Sequence, residues 1–513
     1  MRICLVNPKS SESIEFSIPH GLLQLSAELK KNGHECSILN CNALKTPLDF
    51  GALSRFDIVG LSVMTTQLRQ AVEIADKLRN KTHVVWGGIH CLLDPESILH
   101  RFPNDIVVSG DGEIPLLKIV DFYSRGQQLE NLHNVSGICF FDKKPVINLP
   151  SFIKNLDDLT DVNFYDLPDF EQYIPKKVYY FTNKILRVLT ILTSRGCSWD
   201  CSFCINSILR KYKAFHRTKS IEKIKRETSR IIDAQKIRFV YPMDEDFFVN
   251  RKFVQEWTAY ALEKGFLWGA NARYNYFNER IISKNSLTDL KQKNLFYVGM
   301  SIEAGTEVLR NSVINKQVAD TDILKTVETF KASVGDTVAI NSSFIINFPG
   351  DTIKNRIETI KWMDYLSKNV NITFSGPQIY RPYPGSRLYN LQKNNRTGNL
   401  DFYLDCILQS GALKTSKKEY YASFFYSYLV VKYFNTRFHF YTLNETSNDY
   451  HIAKKSNRDV LIKIFLSAFF VPIRLRIILR CWLFFIEPYI FGFVFKKIID
   501  GIGIAKALTR QGQ

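Results

Sequence analysis

Thr193-Ser194-Arg195-Gly196-Cys197-Ser198-Trp199-Asp200-Cys201-Ser202-Phe203-Cys204 packs three cysteines into eight residues and leaves no fourth close by. Three thiolates make an incomplete metal site: structural zinc takes four protein ligands, whereas a catalytic centre keeps one position open for substrate. Clustered thiolates also suit iron and sulfide. The run just before, Leu186–Thr193, is apolar and β-branched and predicts a buried strand. The cysteines therefore fall in the loop at a strand's C-terminal end, the productive edge of a barrel. On the residues alone, a non-catalytic zinc site completed from afar by His216 or Cys406 is the alternative.

Beyond the cysteines, helical and extended patterns alternate. Helices are expected near Ser220–Gln235, Arg251–Lys264, Asp320–Ala332 and Asn355–Leu366, with strands at Ile237–Tyr241, Trp268–Ala272, Tyr297–Ile302, Val338–Ile346 and Thr373–Gln378. About six such units predict a partial (β/α)6 barrel over residues 188–395. Its strand-end loops are polar where packing does not need them to be: Asp244-Glu245-Asp246, Arg273, Glu303-Ala304-Gly305 and Phe348-Pro349-Gly350-Asp351. Carboxylates there can hold an ammonium group or ribose hydroxyls, and a Pro-Gly turn lets backbone groups reach an adenine.

Upstream, strands at Arg2–Asn7, Glu35–Asn40, Asp57–Ser62, His83–Gly87 and Asp105–Ser109 alternate with helices near Gly21–Asn32, Gln67–Arg79, Pro95–Arg101 and Glu113–Ser124. That rhythm predicts a doubly wound α/β domain, flavodoxin-like (Rossmann-type), over residues 1–150. Ligands of such sheets sit beyond the strands' carboxyl ends. The edge residues there are Asn7-Pro8, Ser62-Val63-Met64-Thr65-Thr66, Gly87-Gly88-Ile89-His90 and Ser109-Gly110-Asp111-Gly112-Glu113. Four such turns at one edge point to a bound cofactor, with His90 read as hydrogen-bonded structure rather than a ligand. A hairpin (Val135–Phe141, Pro145–Leu149) leads into a Pro-punctuated connector at 151–187.

The 513 residues call for two to four domains, and an apolar fraction of 45% with 13% aromatics excludes a largely disordered chain. Ten cysteines, most of them scattered singly, form no secreted-type disulfide framework, and no signal peptide is read at the start; a cytoplasmic protein is expected. The net charge of +18 is concentrated late in the chain: His451 to Gln513 carries eleven Lys/Arg against three Asp/Glu among Phe, Ile and Leu. A helical C-terminal region at 396–513 with peripheral contact at the membrane's inner face is expected, and no nucleic acid partner. The longest apolar run, Cys481 to Phe495, includes Glu487 and Pro488 and is short of the roughly 20 residues of a spanning helix.

Cys197-x3-Cys201-x2-Cys204, with an aromatic residue before the last cysteine, is similar to the signature of the radical S-adenosylmethionine (SAM) enzymes. Gly299-Met300-Ser301-Ile302-Glu303-Ala304-Gly305, Phe344 to Asp351 and Pro382-Tyr383-Pro384-Gly385-Ser386 resemble the same superfamily. Ile18-Pro19-His20-Gly21-Leu22-Leu23-Gln24-Leu25, Gly87–His90 and Gly110–Glu113 resemble the B12-binding module of its cobalamin-dependent branch. The resemblance covers roughly residues 1 to 390.

The resemblance implies a [4Fe-4S] cluster on Cys197, Cys201 and Cys204, whose fourth iron takes SAM. It further implies SAM contacts from Phe203, Asp244, Glu245, Glu303, Phe344, Pro349, Gly350 and Asp351. Asp244 and Glu245 would face the methionine amino group, and Glu303, Phe344 and the Phe348–Asp351 turn the ribose and adenine. Cobalamin contacts are implied for Asn7, Ser62, Thr65, Gly87, Gly88, Gly110 and Glu113. The implied activity is methylation of an unactivated carbon of a small-molecule or lipid-like substrate, with an electron donor such as flavodoxin or ferredoxin. A radical SAM cyclase or rearrangement enzyme is the alternative. Asp111 and Asn347 depart from the family pattern, which has Glu and Gly there.

Overall fold

The computed structural model describes residues 1–391 except 11–16, 45, 175, 180–183, 280, 382 and 384, together with Leu400 and Tyr403. Its N-terminal sheet is built from β1 (Arg2–Asn7), β2 (Glu35–Asn40), β3 (Ile58–Ser62), β4 (His83–Gly87), β5 (Ile106–Val108), β6 (Ile138–Asp142) and β7 (Lys144–Ile147). The spatial order is β2-β1-β3-β4-β5-β6-β7. The first five strands pair in parallel, and β6 and β7 return antiparallel, so the expected hairpin extends the sheet. Order reverses between β1 and β3, which opens a crevice at their carboxyl ends.

Helices α1 (His20–Lys31), α2 (Phe50–Leu53), α3 (Leu68–Leu78), α4 (Ile89–Leu93), α5 (Pro95–Arg101) and α6 (Glu113–Ser124) accompany these strands. The sequence explains them locally. Leu68, Ala71, Ile74, Ala75 and Leu78 recur at three- and four-residue spacing and give α3 its buried face. Asp94 caps α5 by accepting from the Ser97 amide at 3.1 Å, with Pro95 at the first helical position.

The second sheet has the order β16-β15-β14-β13-β12-β9-β8. Its strands are β8 (Lys176–Tyr179), β9 (Lys184–Ile191), β12 (Phe239–Pro242), β13 (Leu267–Ala272), β14 (Leu295–Glu303), β15 (Ala339–Ile346) and β16 (Ile372–Ile379); the numbers between belong to a two-stranded ribbon, β10 (Ser194–Arg195) and β11 (Arg217–Thr218). Six strands are parallel, which is the expected partial (β/α)6 barrel, and β8 adds an antiparallel edge. The helices are α7 (Asn206–Lys211), α8 (Ile221–Ala234), α9 (Arg251–Lys264), α10 (Lys284–Gln292), α11 (Asp320–Ser333), α12 (Ile353–Asn369) and α13 (Arg387–Leu391).

One continuous apolar core joins the domains, running from Ile3 and Leu5 to Ile191, Trp268 and Phe344. The connector is wedged between them. Gln24 donates to the Thr160 carbonyl at 2.7 Å, and Asp161 takes Lys223 at 2.9 Å and Arg226 at 2.7 Å, both from α8. The expected membrane-contacting region lies outside the described residues, apart from Leu400 and Tyr403. Among the described residues no helix is long and apolar enough to cross a membrane.

Candidate active site at the domain interface

The cysteine loop starts at the carboxyl end of β9 and is fixed by a ladder of bonds across the barrel top. The Thr193 amide donates to Asp244 Oδ1 at 2.8 Å and its hydroxyl to Oδ2; Asn271 Nδ2 donates to the Asp244 carbonyl at 2.8 Å; the Tyr241 hydroxyl donates to Asn271 Oδ1 at 2.7 Å. Asp244 is buried, and desolvation raises its pKa against these donors. Its carboxylate is thus committed to the loop. Glu245 is exposed as a residue, yet its carboxyl is enclosed enough that desolvation raises its pKa, with Asp244 and Asp246 adding to the rise, and it lies near Cys204.

Each thiol faces an N–H donor: the Trp199 amide for Cys197, the Asn206 amide for Cys204, and Arg273 Nη1, 3.8 Å from Cys201 Sγ. Burial holds the free thiols high, Cys197 at about 12 and Cys204 at about 11. These N–H donors favour the thiolate that a metal would require, while the Asp246 carboxylate, 4.0 Å from Cys197 Sγ, opposes it. Among the described residues no three His, Cys, Asp or Glu converge on one ion. His216, the remote zinc candidate, instead has its Nε2 at 3.2 Å from the Asp246 carbonyl oxygen, and Cys406 lies outside the described residues.

A cavity of about 280 Å³ lies between the N-terminal sheet and the barrel. Ser62, Gly87, Gly88, Gly110 and Glu113 line it together with His20, Gly21, Lys219 and Glu227. Asn7 and Thr65 do not. Asn7 bonds Asn40 at 3.0 Å and Gln67 at 2.7 Å, and the Thr65 hydroxyl lies 3.1 Å from His90 Nδ1. Gly88 and Gly110 have φ of +87° and +98°, and a Cβ on either would overlap the Val63 or Ser151 backbone. Gly21 and Gly87 are different: a Cβ at Gly21 meets nothing within 4 Å, and one at Gly87 meets its nearest atoms at 3.9 Å. Both leave a cradle that a side chain would fill, as a large flat cofactor requires.

Residues of the cysteine loop form part of this cavity's wall, namely Ser194 and Arg195. Arg195 donates to Glu113 Oε1 at 2.6 Å and pairs with Asp111 at 3.1 Å. Arg217, its partner across the ribbon, also binds Asp111, as does the Ile153 amide at 2.9 Å. Asp111 thus ties three segments together. The Glu113 Oε2 atom stays buried without a partner.

At the opposite rim, Phe203 meets the Phe348 ring edge-on at 5.4 Å, beside Ile345 and Tyr380. Phe344 differs from the expectation: it is packed in the main core against Phe374, and Ile345 is the β15 residue that joins the Phe203 cluster. Register shifts on both sides of β15 make its facing unreadable from alternation alone. Asp351 clamps its own turn, accepting from the Asn347 amide at 2.8 Å and Arg356 at 3.1 Å; Pro349 and Gly350 stay accessible at the tip. Asn347 has φ +65°, so Asn occupies a left-handed position where Gly is common. Glu303 is buried at φ +68° and pairs with Lys316 at 2.9 Å. Arg195, Asp111 and Ile345 were missed; the first two come together only through the fold.

A flavodoxin-like sheet thus faces a barrel whose cysteine loop begins at the wall of the glycine-lined cavity. A B12 binding domain model matches residues 15–120 and a radical SAM superfamily model residues 191–363. The chain belongs to the radical SAM enzymes that carry a B12-binding domain. It is 27% identical over 408 residues to an uncharacterized methyltransferase of Pyrococcus horikoshii, covering 76% of this chain and 82% of that one. It is 26% identical over 344 residues to the anaerobic magnesium-protoporphyrin IX monomethyl ester cyclase of Rubrivivax gelatinosus, covering 65% and 58%. The solved structure of the radical SAM methyltransferase TsrM from Kitasatospora setae, with cobalamin and a [4Fe-4S] cluster bound, aligns with a TM-score of 0.57 at 16% identity, covering 76% and 74%.

Proposed function

We propose that this chain is a cobalamin-dependent radical SAM methyltransferase acting on an unactivated carbon of a small-molecule substrate. The observation that carries this reading is the shared wall: Ser194 and Arg195, immediately before the cysteines, also line the glycine-cradled cavity. One loop therefore addresses both cofactors. When bound, these groups supply a 5′-deoxyadenosyl radical that abstracts hydrogen and a methyl group that replaces it.

In this reading the chain's residues bind and orient. Cys197, Cys201 and Cys204 hold the cluster. Exposed Glu245, beside Cys204, takes the methionine ammonium, while Asp244 positions the loop. Phe203, Ile345 and Phe348 offer an apolar surface to the adenine, with the Pro349-Gly350 tip and Glu303 toward the ribose. Ser62, Gly87, Gly88, Gly110 and Glu113 face cobalamin. A flavodoxin- or ferredoxin-class protein supplies the electron.

Similarity to the cyclase supports a second reading, cyclisation or rearrangement without methyl transfer. Anaerobic reconstitution with hydroxocobalamin and deuteromethyl-labelled SAM, followed by mass spectrometry on cell extract, separates the two. A product carrying the labelled methyl group is expected; an unlabelled product from a cobalamin-loaded enzyme establishes the second reading instead.

A further inference from the structure

Arg273 follows β13 and is buried, and among the described residues no carboxylate forms a direct ion pair with it, although Asp246 is near enough to feel its charge. A guanidinium keeps its charge, so burying one without an anion is costly. Its contacts are all of another kind. Nη2 donates to the Lys316 carbonyl, Nε to Asn275 Oδ1 at 3.3 Å, and the guanidinium carbon stacks 3.8 Å from the centre of the Trp199 ring. Trp199 is held in turn, donating from Nε1 to the Tyr276 hydroxyl at 2.8 Å, which donates to Asp246 Oδ1 at 2.6 Å. This leaves Nη1, 3.8 Å from Cys201 Sγ. With Asp246 taken by the Tyr276 hydroxyl, the group that Nη1 itself faces is the Cys201 sulfur, where the thiolate of an iron–sulfur cluster would be.

We propose that Arg273 is a positioning residue that sets the reduction potential of the cluster through a charge-assisted N–H···S bond to Cys201; this rests on the cluster assigned above. Reduction of [4Fe-4S]2+ to [4Fe-4S]+ takes one electron from the external donor, with no bond made or broken. The cluster and its three thiolates thereby gain one negative charge. A fixed cation and an N–H donor at one sulfur stabilise the reduced form more than the oxidised form and raise the potential. Without Arg273 the same donor reduces less of the cluster. Trp199 and the Lys316 carbonyl hold the guanidinium in place, so a lysine, with a point charge on a flexible stem, substitutes only in part.

The test is an EPR-monitored redox titration of the full-length chain, reconstituted anaerobically with iron and sulfide. In Arg273→Gln the ratio of reduced to oxidised cluster at a fixed solution potential should fall about tenfold, equivalent to about 59 mV for one electron. Arg273→Lys should fall between the two. Equal midpoints in wild type and Arg273→Gln, with full iron content, overturn the proposal. Should Arg273→Gln fail to hold iron, pulsed EPR of the reduced wild type labelled with [15N]arginine decides the matter. A 15N coupling absent from Arg273→Lys supports the bond, and no 15N coupling in wild type overturns it. A wild-type chain that takes up no cluster sinks both this proposal and the function it rests on, whereas an intact cluster insensitive to Arg273 sinks this one alone.

Discussion

Glycines at a ligand edge are ambiguous, because a tight turn and a close-lying ligand both exclude a side chain. Gly110 and Gly87 resolve the ambiguity in opposite directions. Gly110 has φ +98° and its Cβ would overlap the Ser151 carbonyl, so Gly110→Ala disrupts the protein itself. Combining a strained left-handed backbone with a steric clash, it should cost about 2–4 kcal/mol of stability. Gly87 has room for a methyl group, its nearest neighbours Leu61 O and Val108 Cβ lying at 3.9 Å. Gly87→Ala should leave the thermal transition in place but weaken cobalamin retention through gel filtration by about tenfold. Equal retention by wild type and Gly87→Ala would remove Gly87 from the cofactor's surface.

At the level of elements, α4 shows how a short segment can carry a pH response. His90 is fully buried on it, with Thr65 at 3.1 Å, the Tyr403 ring at 5.1 Å edge-on and Asp94 nearby, itself accepting from the Tyr403 hydroxyl at 2.5 Å. Burial pushes the imidazole down to about 4, with Asp94 opposing. Between pH 6.5 and 4 the unfolded chain takes up a proton that the folded chain refuses, so this residue's contribution to stability falls as the pH falls. Buried Asp105, raised to about 6, works in the other direction, so the difference between two proteins is the clean measurement. Urea unfolding should show wild type losing on the order of 3 kcal/mol more than His90→Gln across that window. Parallel pH profiles would refute it. Elements with a clear pattern were legible: β1, β2, β4 and α9 fall on the expected residues, and so does the seven-residue α5, whose Asp94-Pro95 start signal marks it despite its length. Helices α4, α7 and α10 were not, since five to nine residues give too few turns for a periodic face. The three cysteines were legible from spacing alone. The inward residue of β15 was not: Phe344 was implied by resemblance, and the register shifts beside it break the alternation that would have told its facing from that of Ile345.

For the molecule as a whole, the question is what fixes the distance between two cofactor sites on separate domains. The shared apolar core supplies attraction, but apolar contact is non-directional and tolerates sliding. Register comes from the ionic cluster at the rim: Asp111 and Glu113 on one domain, Arg195 and Arg217 on the other, with the connector's Ile153 amide closing it. These partners are 42 to 106 residues apart in sequence, so only the folded chain brings them together. Their side chains are 4–21% exposed, enough enclosure for a broken pair to be costly. Asp111→Asn leaves Arg217 without its carboxylate and should cost about 3–5 kcal/mol. Because the loss falls on the interface and not within either core, calorimetry should show the main transition lowered by roughly 10 °C and divided in two as the domains uncouple. Arg195, released from one of its two carboxylates, also lines the cavity, so cobalamin binding should weaken in the same variant while iron content stays at the wild-type level. A single transition at the wild-type temperature, with cobalamin held as tightly as before, would show that the apolar core alone sets the register.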